Sequence, residues 1–160
     1  MGTLMGSITP CLWFDGRAGE AAEFYTALFP DSSIEMIVPA GDGEDPRRAG
    51  AEGVFMAFIT VAGQRMQLLN GGPQFPFTEA VSFVYPCADQ AEIDRVWDAL
   101  IADGGAESQC GWLRDRFGLS WQIIPEHMGE LISNQRAMEA MYTMTRLDIA
   151  ALEAARDQED

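Results

Sequence analysis

The stretch from Trp112 to Pro125 reads W-L-R-D-R-F-G-L-S-W-Q-I-I-P. Two short runs rich in aromatic and β-branched residues flank the tetrapeptide Asp115 to Gly118, whose glycine can adopt a positive φ. This pattern predicts a β-hairpin. Because side chains alternate along a strand, Gln122 lies on the same face of the second strand as Ser120 and Ile124.

The composition is that of one globular domain. The chain has 160 residues, 48% of them apolar, enough for a domain whose folding buries roughly 70% of the unfolded surface. No run approaches the roughly 20 apolar residues of a membrane span, and residues 1–5 lack the features of a signal peptide. A net charge of −15 disfavours binding to phosphate backbones. We therefore expect a cytoplasmic protein that binds neither membrane nor nucleic acid.

The basic and sulfur-containing residues exclude several kinds of chemistry. All ten basic residues are arginines, and the absence of lysine excludes a Schiff-base lysine, pyridoxal-phosphate catalysis and a Walker-type phosphate loop. The cysteines, Cys11, Cys87 and Cys110, are odd in number and widely spaced, which favours reduced thiols. The single histidine, His127, has no G-x-S-x-G nucleophile elbow to serve.

The order of predicted elements repeats along the chain. Apolar spacing and turn residues predict β-α-β-β-β in the first half and the same order in the second, which ends in the hairpin. The elements predicted for the first half are a strand over 8–14, a helix from about 17 to 29, and strands over 33–38, 54–61 and 64–70. Those of the second half are a strand over 80–85, a helix capped by Asp89, an extended segment over 107–110 and the hairpin.

Two alignments relate the halves. A shift of 72 residues places Leu12 on Val84, and a shift of 55 places Gln67 on Gln122. The long loop predicted for residues 39–53 accounts for the difference. From about Ser133 the chain is predicted to be helical and to dock on the domain or on a second subunit. The apolar side of this helix carries Met138, Met141, Tyr142, Thr145, Ile149 and Leu152.

Several collinear motifs resemble one protein family. They are I-T-P-C-L-W-F-D-G at 8–16, E-A-A-E-F-Y at 20–25, N-G-G-P-Q-F-P-F at 70–77, the hairpin sequence, and A-M-E-A-M-Y-T-M-T-R-L-D-I-A-A-L-E-A-A at 137–155. With the repeated element order and the D-x-x-G turn, the chain resembles the PhnB-like family of the vicinal-oxygen-chelate, or glyoxalase and bleomycin-resistance, superfamily. Members of that family often carry the label 3-demethylubiquinone 3-methyltransferase.

The resemblance implies a fold. It is an α+β fold of two tandem βαβββ modules whose curled mixed sheets surround a cavity, followed by a C-terminal helix and commonly found in homodimers. We assign residues 1–132 to one domain with modules 8–70 and 80–125. Residues 133–160 form the C-terminal helix in this assignment.

The resemblance also locates a possible metal site. In metal-dependent members of the superfamily, four strand positions bind one divalent ion, and these positions fall here on Pro10, Gln67, Ser82 and Gln122. A proline side chain cannot bind a metal, and neutral amide and hydroxyl oxygens are poor ligands for Zn²⁺, Ni²⁺ or Fe²⁺. We therefore expect no metal and no other cofactor.

The same strand alternation groups further residues around the expected cavity. Three neutral hydrogen-bonding side chains with apolar neighbours would suit a small ligand with carbonyl or hydroxyl groups. The predicted ligand-binding residues are Gln67, Ser82, Gln122, Leu12, Phe14, Leu69, Phe75 and Phe77. In the alternative interpretation, Gln67 and Gln122 bond to each other or to water and only satisfy a polar core.

Other reactive side chains are weaker candidates. The carboxylates of Asp15, Glu79 and Asp115 lie at turn positions, where we expect them to be solvated rather than to act as general bases. Cys11 and Cys87 have no histidine or cationic neighbour in sequence to lower the thiol pKa. Strand tryptophans more often build a core than stack on a flat ligand. They are Trp13, Trp112 and Trp121.

The function expected from the sequence is metal-independent binding of a small molecule by a homodimer, with the specific chemistry unassigned. One alternative is an enzyme in the same cavity, either a metal-dependent isomerase, lyase or dioxygenase, or the methyltransferase of the family label. A second alternative is a purely structural dimer. The chain lacks the Gly-rich turn after a first parallel strand that common methyl-donor enzymes use, and this disfavours the methyltransferase alternative.

Overall fold

The chain folds as two successive units of the same topology, seen in a computed structural model that describes residues 6–43, 50 and 52–159. The units are Met1–Pro76 and Phe77–Asp160. None of the helices among the described residues has the length and apolar character needed to cross a bilayer. The assignment of residues 1–132 to a single domain stays a prediction.

The first unit contains one helix and four strands. They are β1 (Cys11–Phe14), α1 (Ala18–Leu28), β2 (Ser33–Pro39), β3 (Val54–Val61) and β4 (Gln64–Asn70). The strands form one mixed sheet in the order β1-β4-β3-β2, in which β1 runs parallel to β4 and the other neighbours are antiparallel. The sheet is open, with β1 and β2 at its edges.

The second unit repeats this order and then adds three helices. Its elements are β5 (Ser82–Cys87), α2 (Gln90–Ile101), β6 (Ala106–Glu107), β7 (Trp112–Arg114), β8 (Ser120–Pro125), α3 (Met128–Leu131), α4 (Gln135–Tyr142) and α5 (Ile149–Asp157). The sheet order is β5-β8-β7-β6, again with the first and last strands parallel. The predicted α+β fold with a repeated βαβββ order is therefore confirmed.

The side chain of Asn70 stabilises the first turn of α1. The first amides of a helix have no partner within the helix. Here Asn70 Oδ1 accepts from the Ala18 amide at 2.9 Å, and the two carboxylate oxygens of Glu52 accept from the Gly19 and Glu20 amides at 2.8 Å each. The Asn70 amide also donates to the Val54 carbonyl at 2.9 Å. One buried side chain thus ties the helix to two strands.

In each unit the helix packs within that unit through a large buried aromatic residue at the equivalent position. Tyr25 of α1 and Trp97 of α2, which the 72-residue shift aligns, are 1% and 0% exposed. The start of α2 is as predicted, because Asp89 Oδ1 accepts from the Glu92 amide at 2.9 Å. Trp97 Nε1 donates to Glu107 Oε1 at 2.9 Å, so the polar edge of this large buried ring is satisfied.

The hairpin of β7 and β8 forms as predicted, but its aspartate is not solvated. Asp115 is 1% exposed. Its carboxylate accepts from the Phe117 and Leu119 amides at 2.9 and 3.0 Å and from Trp121 Nε1 at 2.9 Å. The expectation of a solvated Asp115 was wrong because the D-x-x-G turn folds its own amides over the carboxylate. Gly118 takes a φ of +90°, the conformation for which glycine is suited.

The C-terminal segment forms two long helices rather than the single one predicted. The Met144 and Thr145 carbonyls accept from the Cys110 and Gly111 amides at 2.8 Å each, so tertiary hydrogen bonds replace helical ones between α4 and α5. Asp148 then caps α5 by accepting from the Ala151 amide at 3.0 Å. The predicted apolar stripe is divided accordingly, since Leu152 is buried while Tyr142 on α4 is exposed.

We expect Asp115→Ala to lower the free energy of unfolding by about 3 kcal/mol or more, because three buried donors would lose their acceptor. The measurement is urea denaturation followed by tryptophan fluorescence. Asp115→Asn should restore little, since an amide offers one acceptor oxygen and places an NH₂ group against a donor.

Asp15→Ala is the matched control for Asp115→Ala. It removes the same charge from an exposed turn residue and should change stability by less than about 0.5 kcal/mol. Equal effects of the two alanine variants would show that net charge, not the buried carboxylate, determines the result.

Candidate functional site

The register of the first sheet gives each residue one of two faces. Asn70 contacts the start of α1, so the face that carries Asn70 is the helix face. Paired residues share a face, and Phe14 pairs with Asn70 while Cys11 pairs with Gln67. Gln67 therefore lies on the opposite face. Its strand neighbours there are Cys11, Trp13, Met56, Phe58 and Leu69.

Two of the predicted ligand-binding residues lie on the wrong face. Leu12 and Phe14 are on the helix face and are 6% and 3% exposed, so they belong to the core under α1. The prediction aligned Leu12 with Val84, whereas Gln67 pairs with Cys11 and Gln122 pairs with Val84. A shift of one residue moves every side chain of a strand to the other face.

Trp13, which lies between Leu12 and Phe14 in β1, is on the Gln67 face instead of them. Trp13 pairs with Leu69 and lies on the Gln67 face, where it is half-buried. Its Nε1 donates to the Gly72 carbonyl at 2.8 Å, and a Cβ on Gly71 would overlap its ring. Phe75 meets the ring edge-on at a centroid distance of 5.0 Å. The N-G-G-P-Q-F segment at 70–75 thus fixes the position of the Trp13 ring.

In the second sheet the residues lie on the face that strand alternation predicted, and their role in ligand binding stays a prediction. Ser82 pairs with Ser120, and Val84 pairs with Gln122, so all four share the face opposite α2. Gln122 Nε2 donates to Ser82 Oγ at 3.0 Å. Because a hydroxyl both donates and accepts, this pair can bond in either orientation of the amide.

The polar side chains on these faces differ in whether they form hydrogen bonds within the protein. Gln67 forms no side-chain hydrogen bond within the described part of the chain, and the same is true of Ser120, although Ser120 is only 2% exposed. Phe77 is half-buried at the start of the second unit. The face in the first unit therefore keeps hydrogen-bonding capacity at Gln67, and the face in the second unit keeps it at Ser120, whereas Gln122 is partly occupied.

A cavity of about 180 Å³ opens on the second sheet. Its floor is one row across three strands, in which Ala106 pairs with Arg114 and Arg114 pairs with Ser120. Trp112, in the next row, pairs with Gln122 and forms a wall. Other lining residues include Glu79 and Ser108. The cavity adjoins the Gln122–Ser82 pair, because Ser82 pairs with Ser120.

The sequence model of the 3-demethylubiquinone-9 3-methyltransferase family matches residues 6–124. The chain belongs to this PhnB-like family. A PhnB protein from Bacillus cereus that carries the same methyltransferase name is 36% identical, with 74% of this chain and 98% of that one covered and a TM-score of 0.65. No curated protein matches the chain.

More distant structures share the fold. Protein PA1353 from Pseudomonas aeruginosa is 24% identical, with coverage of 75% and 97% and a TM-score of 0.59. The fosfomycin resistance protein FosX from Listeria monocytogenes, in complex with Mn(II) and sulfate, is 12% identical, with coverage of 80% and 95% and a TM-score of 0.52. These likenesses place the PhnB-like chain in the glyoxalase fold.

The four positions that resemble a metal site do not fit a divalent ion. Pro10 offers no side-chain donor, and Gln122 and Ser82 already satisfy each other as a neutral pair. Among the described residues there is also no group of three or more His, Cys, Asp or Glu side chains that could hold an ion. Neutral oxygens alone are a poor donor set for Zn²⁺, Ni²⁺ or Fe²⁺.

The candidate carboxylates have different surroundings. Asp15 and Glu79 are exposed, and Glu79 lines the cavity of the second unit. Asp115 is buried, but its contacts with three donors hold it in the hairpin turn. It faces Trp121, on the helix side of the sheet, and so cannot reach a ligand bound beside Gln122. Of these three carboxylates, Glu79 is the one that lines the cavity.

The three thiols are free, and Cys87 is protected from reaction. Burial raises the pKa of Cys87 to about 12, and the charge of Glu92 adds to the effect. Burial, followed by the hydrogen bond to Glu92, likewise raises the pKa of Tyr85 to about 12. Because the thiolate is the nucleophile, Cys87 is unreactive at neutral pH.

We expect stability to fall as the pH rises above about 9. The folded Cys87 holds its proton up to a pKa of about 12 whereas the unfolded thiol loses it near 9.0, so the folded state binds more protons in this window. The stabilisation is complete below pH 9 and is lost towards pH 12. Urea midpoints measured at pH 8, 9.5 and 11 should fall less steeply for Cys87→Ala than for the wild type.

Tyr85→Phe provides a second check, since the tyrosine contributes in the same direction between its ordinary pKa of 10.0 and about 12. If the urea midpoints of the wild type, Cys87→Ala and Tyr85→Phe fell equally steeply with pH, this explanation of the loss of stability at alkaline pH would be wrong.

Proposed function

We propose that the protein binds a small molecule without a metal ion, using neutral hydrogen-bonding groups on the sheet faces opposite the helices. The observation that carries this proposal is the Gln122–Ser82 hydrogen bond of 3.0 Å at two positions where metal-dependent relatives would need charged ligands. A neutral pair needs no cation to balance its charge, whereas a half-buried set that contains carboxylates does.

The surroundings of these groups support recognition of an organic ligand. Small-molecule sites combine apolar and aromatic walls with a few polar groups. Trp13, Leu69 and Phe75 accompany Gln67 in the first unit, and Trp112 accompanies Gln122 in the second. An amide offers both a donor and an acceptor, so a ligand with carbonyl or hydroxyl groups is the expected partner.

Metal analysis tests the proposal directly. Protein purified without chelator and desalted should retain far less than one equivalent of Mn, Fe, Co, Ni or Zn by plasma mass spectrometry, since the donor set is neutral. Isothermal calorimetry with Mn²⁺ and Ni²⁺ should show no saturable heat. Stoichiometric metal that disappears in Gln67→Leu or Gln122→Leu would overturn the proposal.

The methyltransferase of the family name is the second candidate function, and the matching family model is the observation that favours it. Neither unit begins with a Gly-rich turn between a parallel strand and a helix N-terminus, since β1 is followed by Asp15-Gly16-Arg17 and β5 by Ala88-Asp89. Saturable binding of S-adenosylmethionine in calorimetry would favour the methyltransferase over the leading proposal.

We also propose that the protein is a cytoplasmic homodimer. Three free thiols suit a reducing compartment. The resemblance implies dimers, and the exposed side of α4 carries Met138 and Tyr142, which are 37% and 58% exposed. We expect sedimentation velocity to give a dimer for the wild type and a larger monomer fraction for Tyr142→Glu. A control, Glu139→Gln, changes a neighbouring polar residue and should leave the dimer intact.

A further inference from the structure

The cavity of the second unit has features that select a particular kind of ligand. At about 180 Å³ it lies below the 300–1,000 Å³ typical of drug-sized sites. It holds roughly the volume of six water molecules, at about 30 Å³ each. A single ring with one substituent is comparable in size to this space.

The register explains why the depression exists. Ala106, Arg114 and Ser120 are neighbours in one row across β6, β7 and β8. Adjacent strands lie about 4.8 Å apart, so two small side chains flank the base of one long one. Trp112 stands in the next row, and next to Ser120 the row continues into Ser82. The small residues leave room on either side of the Arg114 side chain, in the cavity that Trp112 also lines.

The positive charge at the cavity comes from Arg114. Arg114 is exposed and has no ion-pair partner within the described residues. Its guanidinium can present two parallel N–H donors to a carboxylate. Ser120, 2% exposed and without a side-chain hydrogen bond in the described part of the chain, adds a hydroxyl that can donate to a carboxylate oxygen.

The acidic residues nearby limit the choice. Glu107 lines the cavity, but its Oε1 accepts from Trp97 Nε1 on the helix face. Glu79 is exposed and faces the cavity. A doubly charged anion would be repelled by Glu79 and by the net charge of −15. A monoanion whose charge sits against Arg114 meets the least repulsion.

We propose that this cavity binds a small planar monocarboxylate, with the carboxylate on Arg114 and Ser120 and the ring against Trp112. The proposal rests on the proposed function, because it names the ligand class for the same sheet face. No bond is made or broken in this step, so it describes recognition only. The Gln122–Ser82 pair borders the cavity and remains available to a polar ring substituent.

Three monosubstituted benzenes of similar size test the sign of the ligand charge. Benzoate, benzamide and benzylamine share a ring and differ in charge, and each is titrated into ¹⁵N-labelled full-length protein. Chemical shifts of the Trp112 indole N–H and the Ser120 amide report binding at the cavity. We expect benzoate to bind most tightly and benzylamine least tightly, with the benzoate preference reduced at high salt.

Substitutions then locate the interaction. Arg114→Gln should weaken benzoate binding about two- to fivefold, within the range of an exposed ion pair, and leave benzamide unchanged. Arg95→Gln, an exposed arginine on α2, is the charge-matched control and should change neither. Ser120→Val should fill the cavity and weaken all three probes. Unchanged amide spectra of Arg114→Gln outside the cavity would show that the fold is intact.

The outcomes separate this inference from the proposed function. Equal binding of benzoate and benzamide, or tighter binding of benzylamine, overturns the carboxylate assignment. If benzamide binding also requires Gln122, the proposed neutral recognition is supported at the same time. Absence of binding by all three probes overturns the inference, and the metal analysis decides the proposed function independently.

Discussion

The buried carboxylate of Asp115 fixes the part of the structure on which the site depends. It accepts hydrogen bonds from Phe117, Leu119 and Trp121, and these contacts determine where β8 begins relative to β7. Trp121 is thereby held on the helix face and Gln122 on the opposite face. A slip of one residue would exchange the two, so the position of the polar site follows from a contact on the other side of the sheet.

Asn70 has the corresponding task in the first unit, and its chemistry is different for a physical reason. The residue must accept from the Ala18 amide and donate to the Val54 carbonyl at once. An amide side chain can do both, whereas an ionised carboxylate only accepts. Asp115 has three donors around it and needs no donor of its own. Asn70 and Asp115 therefore each match the donors and acceptors that surround them.

The sequence predicts well what local pattern determines. Strands β3 and β4 and the cap at Asp89 agree with the prediction because alternation and capping act within a few residues. The face of β1 was predicted wrongly because a strand of four residues has too little alternation to define its register, which its pairing with β4 decides. The break between α4 and α5 depends on hydrogen bonds from Cys110 and Gly111, which no local pattern contains.

The polar residues of the two units divide by face. On the helix faces, Asn70, Asp115 and Glu107 have their partners and serve the scaffold. On the opposite faces, Gln67 and Ser120 have no side-chain hydrogen bond within the described residues, and their polar atoms are available to water or to a ligand. The hydrogen bonds on the helix faces therefore stabilise the fold, and the groups on the opposite faces are those that the proposed ligand would use.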